Sequence, residues 1–393
     1  MQTIMKKILS TEKIPIMLWL DDIEEGALQQ AKNLANLPFA FHHIAVMADA
    51  HFGYGMPIGG VLAAEEFVVP NGVGVDIGCG VCAMRTSLSD ISLETLKKIL
   101  GNIRQFIPTG FKHHRRKQSP DLMPETPEGL HELKIVSRQY DNALAQLGTL
   151  GGGNHFIEIQ KGSDNRIWIM VHSGSRNLGY QVAGHYNKIA IKLNQKWKTP
   201  VDPKWQLASL PLSSETAADY LAEMHYCVDF AFCNRLHMMQ TIEEIFEIFC
   251  PGITFDEPID TAHNYAAREK QYGRELIIHR KGATRAYSNE KGIIPGSQGT
   301  SSFIVQGKGN PESFCSCSHG AGRKLGRKEA QRSLKLDEEI TLLDRQHILH
   351  GIRSKKDLDE AAGAYKDIHT VMQNQEDLVD VLVILQPLAV VKG

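Results

Sequence analysis

Three histidines of this chain lie in glycine-rich segments, where their side chains could perform metal or phosphate chemistry. They are His155 in GGGNHF, His172 in HSGSR and His319 in SCSHGAGRK, and Asp76 and Cys79 precede them in VGVDIGCG. Glycine has no Cβ and tolerates positive φ, so the backbone beside it can approach a ligand closely. Histidine, cysteine and aspartate are side chains that bind transition metals. The combination predicts one polar site and therefore an enzyme.

Asp76 and Cys79 lie three residues apart between glycines, so one turn could direct both at an ion. Mn²⁺ accepts carboxylate and imidazole ligands, and a thiolate could bridge two ions. The alternative is that Asp76 is a turn residue and Cys79 a small buried hydrophobe. Cys79 and Cys82 also form C-x-x-C, but no second C-x-x-C occurs in the sequence. The zinc-ribbon pattern is thus incomplete, and we interpret Cys82 as structural.

His155 begins a predicted strand and His172 ends the next one. Adjacent strands would bring the two imidazoles together at one end of a sheet. The alternative for each is an ordinary core or surface histidine, since the chain has 17 of them. His263, in the sequence HNY, follows a long predicted helix and has the weakest local pattern.

His319 is surrounded by small residues, and Gly322 is predicted to lead into a helix whose N–H groups could hold a phosphate. A histidine in such a place can act as a nucleophile on phosphorus. The P-loop pattern G-x-x-x-x-G-K-[ST] is missing. The turn at residues 295–299, PGSQG, could supply further phosphate contacts, or it is an ordinary turn.

The elements that position these residues are predicted from hydrophobic spacing. Leucines and isoleucines recur at helical spacing over residues 93–103. Further helices are predicted at 128–146, 214–249 (with Ser213 or Ser214 as N-cap), 322–334, 336–349 and 356–376. Strands are predicted at 156–160, 167–171, 276–279, 302–305 and 380–391, and residues 44–88 as short strands and turns. Helices and strands are segregated along the chain, which predicts an α+β fold.

Length and charge set broader limits. At 393 residues the chain exceeds the usual size of one core, so subdomains are expected within a single catalytic domain, residues 1–393. The polar loop 112–127, with three prolines, is the candidate internal boundary. With a net charge of −2, the chain as a whole is not basic, as many nucleic-acid-binding domains are. Any contact with nucleic acid therefore requires a local basic patch. Basic clusters occur at 112–117 and 323–328.

The sequence predicts a cytoplasmic protein. The apolar stretch at residues 14–20 contains a proline and runs into two aspartates, unlike an export signal. No run approaches the roughly 18 apolar residues of a membrane span. Seven cysteines without a disulfide framework fit a reducing compartment.

The motifs together resemble the RtcB family, the 3′-phosphate RNA ligases of tRNA splicing and RNA repair. Ten motifs occur in the family's order: HHIAVMADAHFGYG, VGVDIGCG, LGTLGGGNHFIE, VHSGSR, HNY, RKGATRA, IIPGSQG, SFCSCSHGAGR, AYKDI and VVKG. The resemblance implies an RtcB-like fold, with central β-sheets flanked by helices around a dinuclear metal site.

The resemblance also implies residue roles. His319 corresponds to the histidine that attacks the α-phosphorus of GTP, and Arg176 to an arginine associated with the RNA ends. The implied ligands of two Mn²⁺ ions are Asp76, Cys79, His155, His172 and His263. The implied nucleotide-binding residues are Asn154, Phe156, Glu158, Asn264, Pro295, Gly296, Ser297, Gln298, Ser302, Gly320, Ala321, Gly322, Tyr365 and Lys392. Asp49, in MADAH, is a further motif residue without a firm role.

The implied reaction joins an RNA end with a 3′-phosphate or 2′,3′-cyclic phosphate to a 5′-hydroxyl end. A cyclic end is first hydrolysed, GMP passes from His319 to the 3′-phosphate, and the 5′-hydroxyl displaces GMP. An archease-type activator is a candidate partner whose need the sequence leaves open, and we expect a monomer. Gln298 stands where relatives often carry methionine, and the loop 112–127 also departs from the family pattern.

Two other classes of protein compete with this interpretation. A metal-dependent phosphoesterase that acts on RNA ends without ligation would use the acid, the thiol and the histidines, but neither His319 nor Lys392. A non-catalytic RNA-binding protein is disfavoured by the near-neutral isoelectric point and by the complete set of site residues.

Overall fold

The computed structural model describes residues 5–126 and 129–393. The helices are α1 (Glu25–Ala35), α2 (Pro70–Val73), α3 (Leu93–Phe106), α4 (Lys134–Gln146), α5 (Arg176–Trp197), α6 (Glu215–Phe249), α7 (Arg327–Ser333), α8 (Leu336–Arg345) and α9 (Ile368–Gln373). The strands are β1 (Lys7–Leu9), β2 (Ile16–Leu18), β3 (Ala40–His51), β4 (Ile58–Ala64), β5 (Phe67–Val68), β6 (Gly80–Arg85), β7 (Phe156–Gly162), β8 (Ile167–Ser173), β9 (Leu210–Pro211), β10 (Ile259–Ala262), β11 (Asn264–Gln271), β12 (Arg274–Lys281), β13 (Ala283–Arg285), β14 (Lys291–Ile294), β15 (Ser302–Gly307), β16 (Ser316–Ser318) and β17 (Val379–Lys392).

Two large sheets organise the molecule. One has six strands in the order β1-β2-β3-β4-β12-β11, and the other has seven in the order β10-β6-β8-β7-β17-β15-β14. Within the described ranges, the β2–β3 pair is parallel and every other strand pairing is antiparallel. Helices pack beside predominantly antiparallel sheets, as expected for an α+β fold.

Helix α6 connects two parts of the core. Tyr220 and Phe230 pack in one apolar cluster with α4 and α5, whereas Met238 and Phe246 pack in another with α3 and the seven-stranded sheet. Its N-cap is Ser214, whose side chain accepts a hydrogen bond from the backbone N–H of Ala217 at 3.2 Å, as predicted. This fixed helix supports the loops at the end of the sheet.

Most predicted elements are present with shifted ends. The helices predicted from residues 93 and 214 and all five predicted strands are confirmed. The helix predicted at 128–146 begins at Lys134 after a short 3₁₀ turn (Leu130–Glu132), and residue 128 lies outside the described residues. Helices α1 and α5 were not predicted, although the buried positions Leu178, Val182, Tyr186 and Ala190 recur every four residues.

The C-terminal helices differ most from the prediction. The helix predicted at 322–334 begins only at Arg327, and the one predicted at 336–349 ends at Arg345. The helix predicted at 356–376 is divided into two 3₁₀ helices (Lys355–Glu360 and Ala362–Ala364) and α9, which begins after the capping residue Asp367. Close packing around the site overrides local helical spacing here.

The loop 112–127 is described up to residue 126. It runs along α4, since the N–H groups of His114 and Gln118 donate to the carbonyls of Ala145 and Leu144 at 3.0 Å. An internal boundary at this loop stays a prediction. Among the described residues, no helix combines the length and apolar character needed to cross a bilayer.

Candidate metal and nucleotide site

A cavity of about 590 Å³ lies between the two large sheets and contains most of the predicted site residues. His51 and Ile58 line it from the six-stranded sheet, and Phe156, Glu158 and Lys392 from the seven-stranded sheet. Of the residues predicted for the site, all but His155, Arg176 and Ser302 line this cavity. Its volume is within the range of small-molecule sites.

The five predicted metal ligands form two groups that share a thiol. Cys79, His172 and His263 form one, and Asp76, Cys79 and His155 form the other, with the donor atoms of each group within 4.8 Å of one another. The Cys79 Sγ lies 3.3 Å from His172 Nε2 and 3.5 Å from His155 Nε2. The Asp76 Oδ2 lies 3.5 Å from His155 Nε2. A thiolate in this position could contact two ions at once.

Strand register explains why residues so distant in sequence meet. His172 in β8 is opposite Phe156 in β7 and Val81 in β6, while Ala262 in β10 is opposite Gly80 in β6. The four neighbouring strands therefore bring the residues beside their ends, His155, Cys79 and His263, to one edge of the sheet. The prediction that His155 and His172 meet at a sheet end is confirmed, since their ring centres are 5.3 Å apart.

The electrostatics of the cluster fit a cation. Burial, together with neighbouring histidines, lowers the pKa of His172 and of His263 well below the ordinary value, so both imidazoles are neutral. Burial also raises the pKa of the Cys79 thiol well above its usual value. Burial opposes ionisation of Asp76, but hydrogen bonding to His155 holds the pKa of that carboxyl below its ordinary value. A metal ion would stabilise the thiolate and use neutral imidazoles as ligands.

The Nδ1 atoms of His155 and His172 differ in their partners. His155 Nδ1 lies 2.9 Å from the Leu150 carbonyl oxygen, which leaves Nε2 facing Cys79 and Asp76. His172 Nδ1 is buried and has no hydrogen-bond partner in the described part of the chain. The donor set suits a transition-metal site. The Leu150 carbonyl supplies the outer partner that orients a ligating imidazole, and His172 lacks such a partner.

Asp49 determines the orientation of His319. Its Oδ2 accepts hydrogen bonds from His319 Nδ1 at 2.6 Å, from the His319 backbone N–H at 3.0 Å and from that of Gly320 at 3.2 Å. Burial of Asp49 acts to raise its pKa, but His319 holds that pKa below the ordinary value. With Nδ1 donating to a carboxylate, Nε2 is the nitrogen left with a lone pair. The His319 ring centre is 4.8 Å from that of His263.

Gly322 permits this arrangement. Its φ is +71°, and a Cβ there would lie 2.0 Å from the Asp49 carbonyl oxygen. The helix predicted to begin at Gly322 is wrong, because residues 319–326 form bends and one isolated bridge, between Arg323 and Tyr365, and α7 starts only at Arg327. The Gly320 N–H donates to Asp49, and contact of this segment with a phosphate stays a prediction.

Strands β7 and β17 form one end of the cavity, where the Phe156 ring centre lies 5.4 Å from that of His172. Lys392 is opposite Phe156 in the register, and its Nζ lies 5.5 Å from the centre of the Phe156 ring. Burial raises the pKa of Glu158 to about 8, although a hydrogen bond from Gln160 and the charge of Lys392 oppose this shift. Lys392 Nζ also donates to the Asn154 carbonyl oxygen at 3.4 Å. This end offers an aromatic face, a carboxyl group and an amine.

Several predicted nucleotide-binding residues shape the cavity through their side chains. Ser302 Oγ accepts from the Gly296 N–H at 3.1 Å and lies behind the cavity wall. Gln298 Nε2 donates to the Glu360 carbonyl oxygen at 2.8 Å. The Asn264 amide joins two loops, since Nδ2 donates to the Asp76 carbonyl at 3.1 Å and Oδ1 accepts from the Gly282 N–H at 2.8 Å.

Arg176 lies behind the metal cluster. It begins α5 with φ at +56°, and its Nη1 is 3.4 Å from His155 Nδ1. Gly151 leaves room for it, since a Cβ at that position would lie 2.1 Å from the same Nη1. The structure thus places Arg176 beside a candidate ligand, and contact with RNA stays a prediction.

Two groups of supporting residues were missed by the sequence analysis. The buried Arg235 on α6 donates to the carbonyls of Gly78 and Ser173 and pairs with Asp260 at 2.6 Å. Asn234, its neighbour, accepts from the Gly148 N–H at 2.8 Å. Both lie inside a helix, where no motif marks them.

The second group surrounds the buried Glu360. This carboxylate accepts from Arg323 Nη1 at 2.9 Å, from Arg327 Nε at 2.8 Å and from the Tyr365 hydroxyl. The basic residues were visible as the 323–328 cluster, but the acid was hidden within a predicted helix.

Known proteins similar to this chain in sequence share one description. A family model described as tRNA-splicing ligase RtcB matches residues 30–133 and 125–393. The RNA-splicing ligase RtcB of Escherichia coli (strain K12) is 37% identical over 415 residues, covering 98% of this chain and 99% of that protein. The tRNA-splicing ligase RtcB of Thermococcus kodakarensis is 31% identical, covering 97% and 95%. The RNA-splicing ligase RtcB homolog 1 of Entamoeba histolytica is 31% identical, covering 94% and 84%.

Proposed function

The chain belongs to the RtcB family, and on this premise we propose that it is an RNA ligase. It joins an RNA end that carries a 3′-phosphate or 2′,3′-cyclic phosphate to a 5′-hydroxyl end and consumes GTP. The observation that supports this most directly is His319, which is oriented by a buried carboxylate beside a candidate metal cluster and within a nucleotide-sized cavity. A phosphoesterase that only hydrolyses RNA ends has no use for this histidine.

His319 acts as the nucleophile. Its Nε2 forms a bond to the α-phosphorus of GTP, and pyrophosphate leaves. Asp49 holds Nδ1–H and stabilises the positive charge that develops on the ring during attack. GMP then moves to the RNA 3′-phosphate, which frees Nε2, and the 5′-hydroxyl displaces GMP to form the phosphodiester. Asp49 is a positioning residue in each transfer.

Asp76, Cys79, His155, His172 and His263 would hold two Mn²⁺ ions. When bound, the ions supply charge stabilisation at the phosphoryl oxygens. The protein keeps His172 and His263 neutral through burial and holds His155 by its bond to the Leu150 carbonyl. The same burial excludes water from the side of the cluster that faces the sheet.

The cavity end between β7 and β17 is proposed to bind the guanine nucleotide. Phe156 offers a stacking face, Glu158 a buried carboxyl group that can pair with base N–H groups, and Lys392 a cation for the polar parts of the ligand. Tyr365 closes the wall through its hydrogen bond to Glu360. The remaining predictions, a monomer, a cytoplasmic location and an archease-type activator, stay proposals.

The test is covalent transfer of GMP. Metal-free protein is incubated with α-labelled GTP, with and without Mn²⁺, and separated on a denaturing gel. We expect a labelled band that requires Mn²⁺, is lost in acid and survives alkali, as expected for a phosphorus–nitrogen bond to histidine. His319→Ala is expected to abolish the label, whereas the exposed His131→Ala, a matched control, retains it.

The competing result is equally specific. Release of phosphate from a 3′-phosphorylated RNA without GTP, together with no labelled band in manganese-loaded protein, would replace the ligase with the phosphoesterase.

A further inference from the structure

A second cleft, of about 520 Å³, lies beside the metal cluster, and nothing proposed above uses it. We call it the α5 cleft. Its lining includes Tyr54, Val75, Arg138, Tyr180, His185 and Lys188. No aspartate or glutamate lines it in the part of the chain that the structure describes. The charged side chains that line the cleft are therefore all basic.

Aromatic side chains project at its rim. Tyr54 and Tyr180 are each 58% exposed, and Val75 is 51% exposed. Phe52, two residues before Tyr54, is 59% exposed and lines the neighbouring catalytic cavity. Exposed aromatic groups gathered in one place mark a binding surface. Nucleobases stack on such side chains without regard to sequence.

The cations of the cleft are free to pair with an incoming anion. Arg138 on α4 and Lys188 on α5 are exposed, and neither forms an ion pair within the described ranges. Partial burial and then the positive charges of Arg138, Lys134 and Lys188 lower the pKa of His185. Lys134 is paired with Asp219 at 2.7 Å, so Arg138 and Lys188 supply the positive charge of the cleft lining, although the whole chain carries −2.

The cleft is continuous in sequence with the catalytic cavity. Val75 lines the cleft, and the next residue, Asp76, lines the cavity. Tyr180 lies one helical turn after Arg176 on α5. The buried Lys281 fixes the rim, because its Nζ donates to the Tyr54 carbonyl at 2.5 Å and to the Asn71 carbonyl at 3.1 Å. Residues 75 and 76 therefore belong to one segment that lines both the cleft and the catalytic cavity.

We propose that the α5 cleft binds a single-stranded segment of the RNA substrate and leads its end to the metal cluster. Bases stack on Tyr54 and Tyr180, and backbone phosphates pair with Arg138 and Lys188. The proposal rests on the RNA-ligase function above. It gives residues outside the catalytic cavity a role in guiding the RNA strand.

The test measures RNA affinity apart from chemistry. A fluorescent single-stranded 12-nucleotide RNA, made with a 3′-phosphate or with a 5′-hydroxyl end, is titrated with manganese-loaded protein without GTP, and anisotropy gives Kd at several salt concentrations. Tyr54→Ala with Tyr180→Ala is expected to raise Kd at least about tenfold, because each stacked base is lost. Arg138→Glu with Lys188→Glu is expected to weaken binding and to reduce the salt slope by about 1.4, since each lost phosphate contact accounts for about 0.7.

Matched controls lie on other surfaces. Phe106→Ala with Trp197→Ala removes two comparably exposed aromatic groups, and Lys97→Glu with Lys270→Glu reverses two exposed charges. These controls are expected to keep the wild-type Kd. GMP transfer to His319 is measured on the same samples, because it needs no RNA and reports on the catalytic cavity.

The outcomes separate the two proposals. If both cleft variants keep the wild-type Kd in a protein that transfers GMP and ligates RNA, the cleft proposal is overturned and the ligase proposal stands. If the cleft variants bind RNA more weakly but the protein never accepts GMP, the cleft proposal is supported and the ligase proposal is overturned. Wild-type protein that binds neither RNA probe overturns the cleft.

Discussion

Asp49 shows how much of this site depends on one atom. Its Oδ2 receives the ring and backbone hydrogen bonds of His319 and the backbone bond of Gly320. It therefore fixes both the place of the imidazole and the nitrogen that carries the proton. In known catalytic triads an aspartate has the same effect on a histidine, and its amide replacement gives the wrong tautomer.

Asp49→Asn is expected to slow GMP transfer to His319 by on the order of 10²- to 10⁴-fold. The amide can donate to Nδ1, which would place the ring proton on Nε2 and remove the attacking lone pair. The rate is measured by single-turnover labelling with α-labelled GTP. The affinity for GTP and for Mn²⁺ is expected to stay close to that of wild type, and the exposed Asp90→Asn serves as control. A rate within threefold of wild type would contradict the role of Asp49.

The raised pKa of Glu158 predicts that the free energy of unfolding depends on pH. Its pKa is about 8 in the folded protein, above the ordinary 4.5, because of burial. Between pH 4.5 and 8 the unfolded chain has lost this proton and the folded chain retains it, so folding stability from this group falls as pH rises. Wild type is therefore expected to lose stability relative to Glu158→Gln across this window, by at most about 1.4 kcal/mol per pH unit.

Denaturant unfolding of ligand-free wild type and Glu158→Gln at pH 5, 6, 7 and 8 measures this difference. The exposed Glu244→Gln is the control and is expected to give a constant difference from wild type. A Glu158→Gln difference that does not change with pH would show that the carboxyl is ionised throughout.

At the residue scale, the sequence predicted the reactive side chains and missed those that hold them. Cys79, His155, His172 and His319 lie in recognisable glycine-rich motifs, and the structure brings them together. Asn234 and Arg235 donate to the backbone carbonyls of Gly174 and Ser173, which are 60 and 62 residues away in sequence. Such contacts leave no local pattern, because they exist only after the strands have paired.

At the scale of elements, the turn after β16 decides the shape of the catalytic cavity. Gly322 has φ at +71° and lies against the backbone of β3. Local spacing favoured a helix through this glycine, and contact with β3 prevented it. By contrast, the strands were predicted well, since β8 begins with a continuous apolar run that is buried on both faces, and β7 alternates apolar with polar residues.

Gly322→Ala is expected to lower the free energy of unfolding by about 2 kcal/mol or more, because the new Cβ both strains the backbone and meets the Asp49 carbonyl. GMP transfer should fall with it. Gly326→Ala is the matched control: a Cβ there meets no atom within 4 Å, and the expected change is within about 0.5 kcal/mol. Chemical denaturation measures both, and equal stability of the two variants would contradict the packing described for the turn.

At the scale of the whole molecule, the candidate metal centre joins four separated segments of the chain. Residues 76–79, 155, 172 and 263 contribute donors to two groups with a common thiol. Ions that bind only the folded chain stabilise it by mass action, by about 2.7 kcal/mol when the free ion is at 100 times its Kd.

The melting temperature is therefore expected to rise when Mn²⁺ is added to protein stripped with a chelator. Cys79→Ser is expected to lose most of this rise, since Cys79 belongs to both donor groups, whereas His319→Ala keeps it. Differential scanning calorimetry provides the temperatures and elemental analysis the metal content. If Mn²⁺ raised the melting temperature of Cys79→Ser as much as that of wild type, a thiolate shared by both donor groups would be excluded.

The order of strands in the seven-stranded sheet has a consequence for how the protein comes to be folded. Strand β17, which follows all the others in sequence, lies inside the sheet between β7 and β15. Its register with β7 closes a loop of more than 200 residues, and such distant pairings form slowly. Until β17 arrives, β7 and β15 each present an open edge to which another chain can add. Newly made chains are therefore most prone to aggregate before β17 docks.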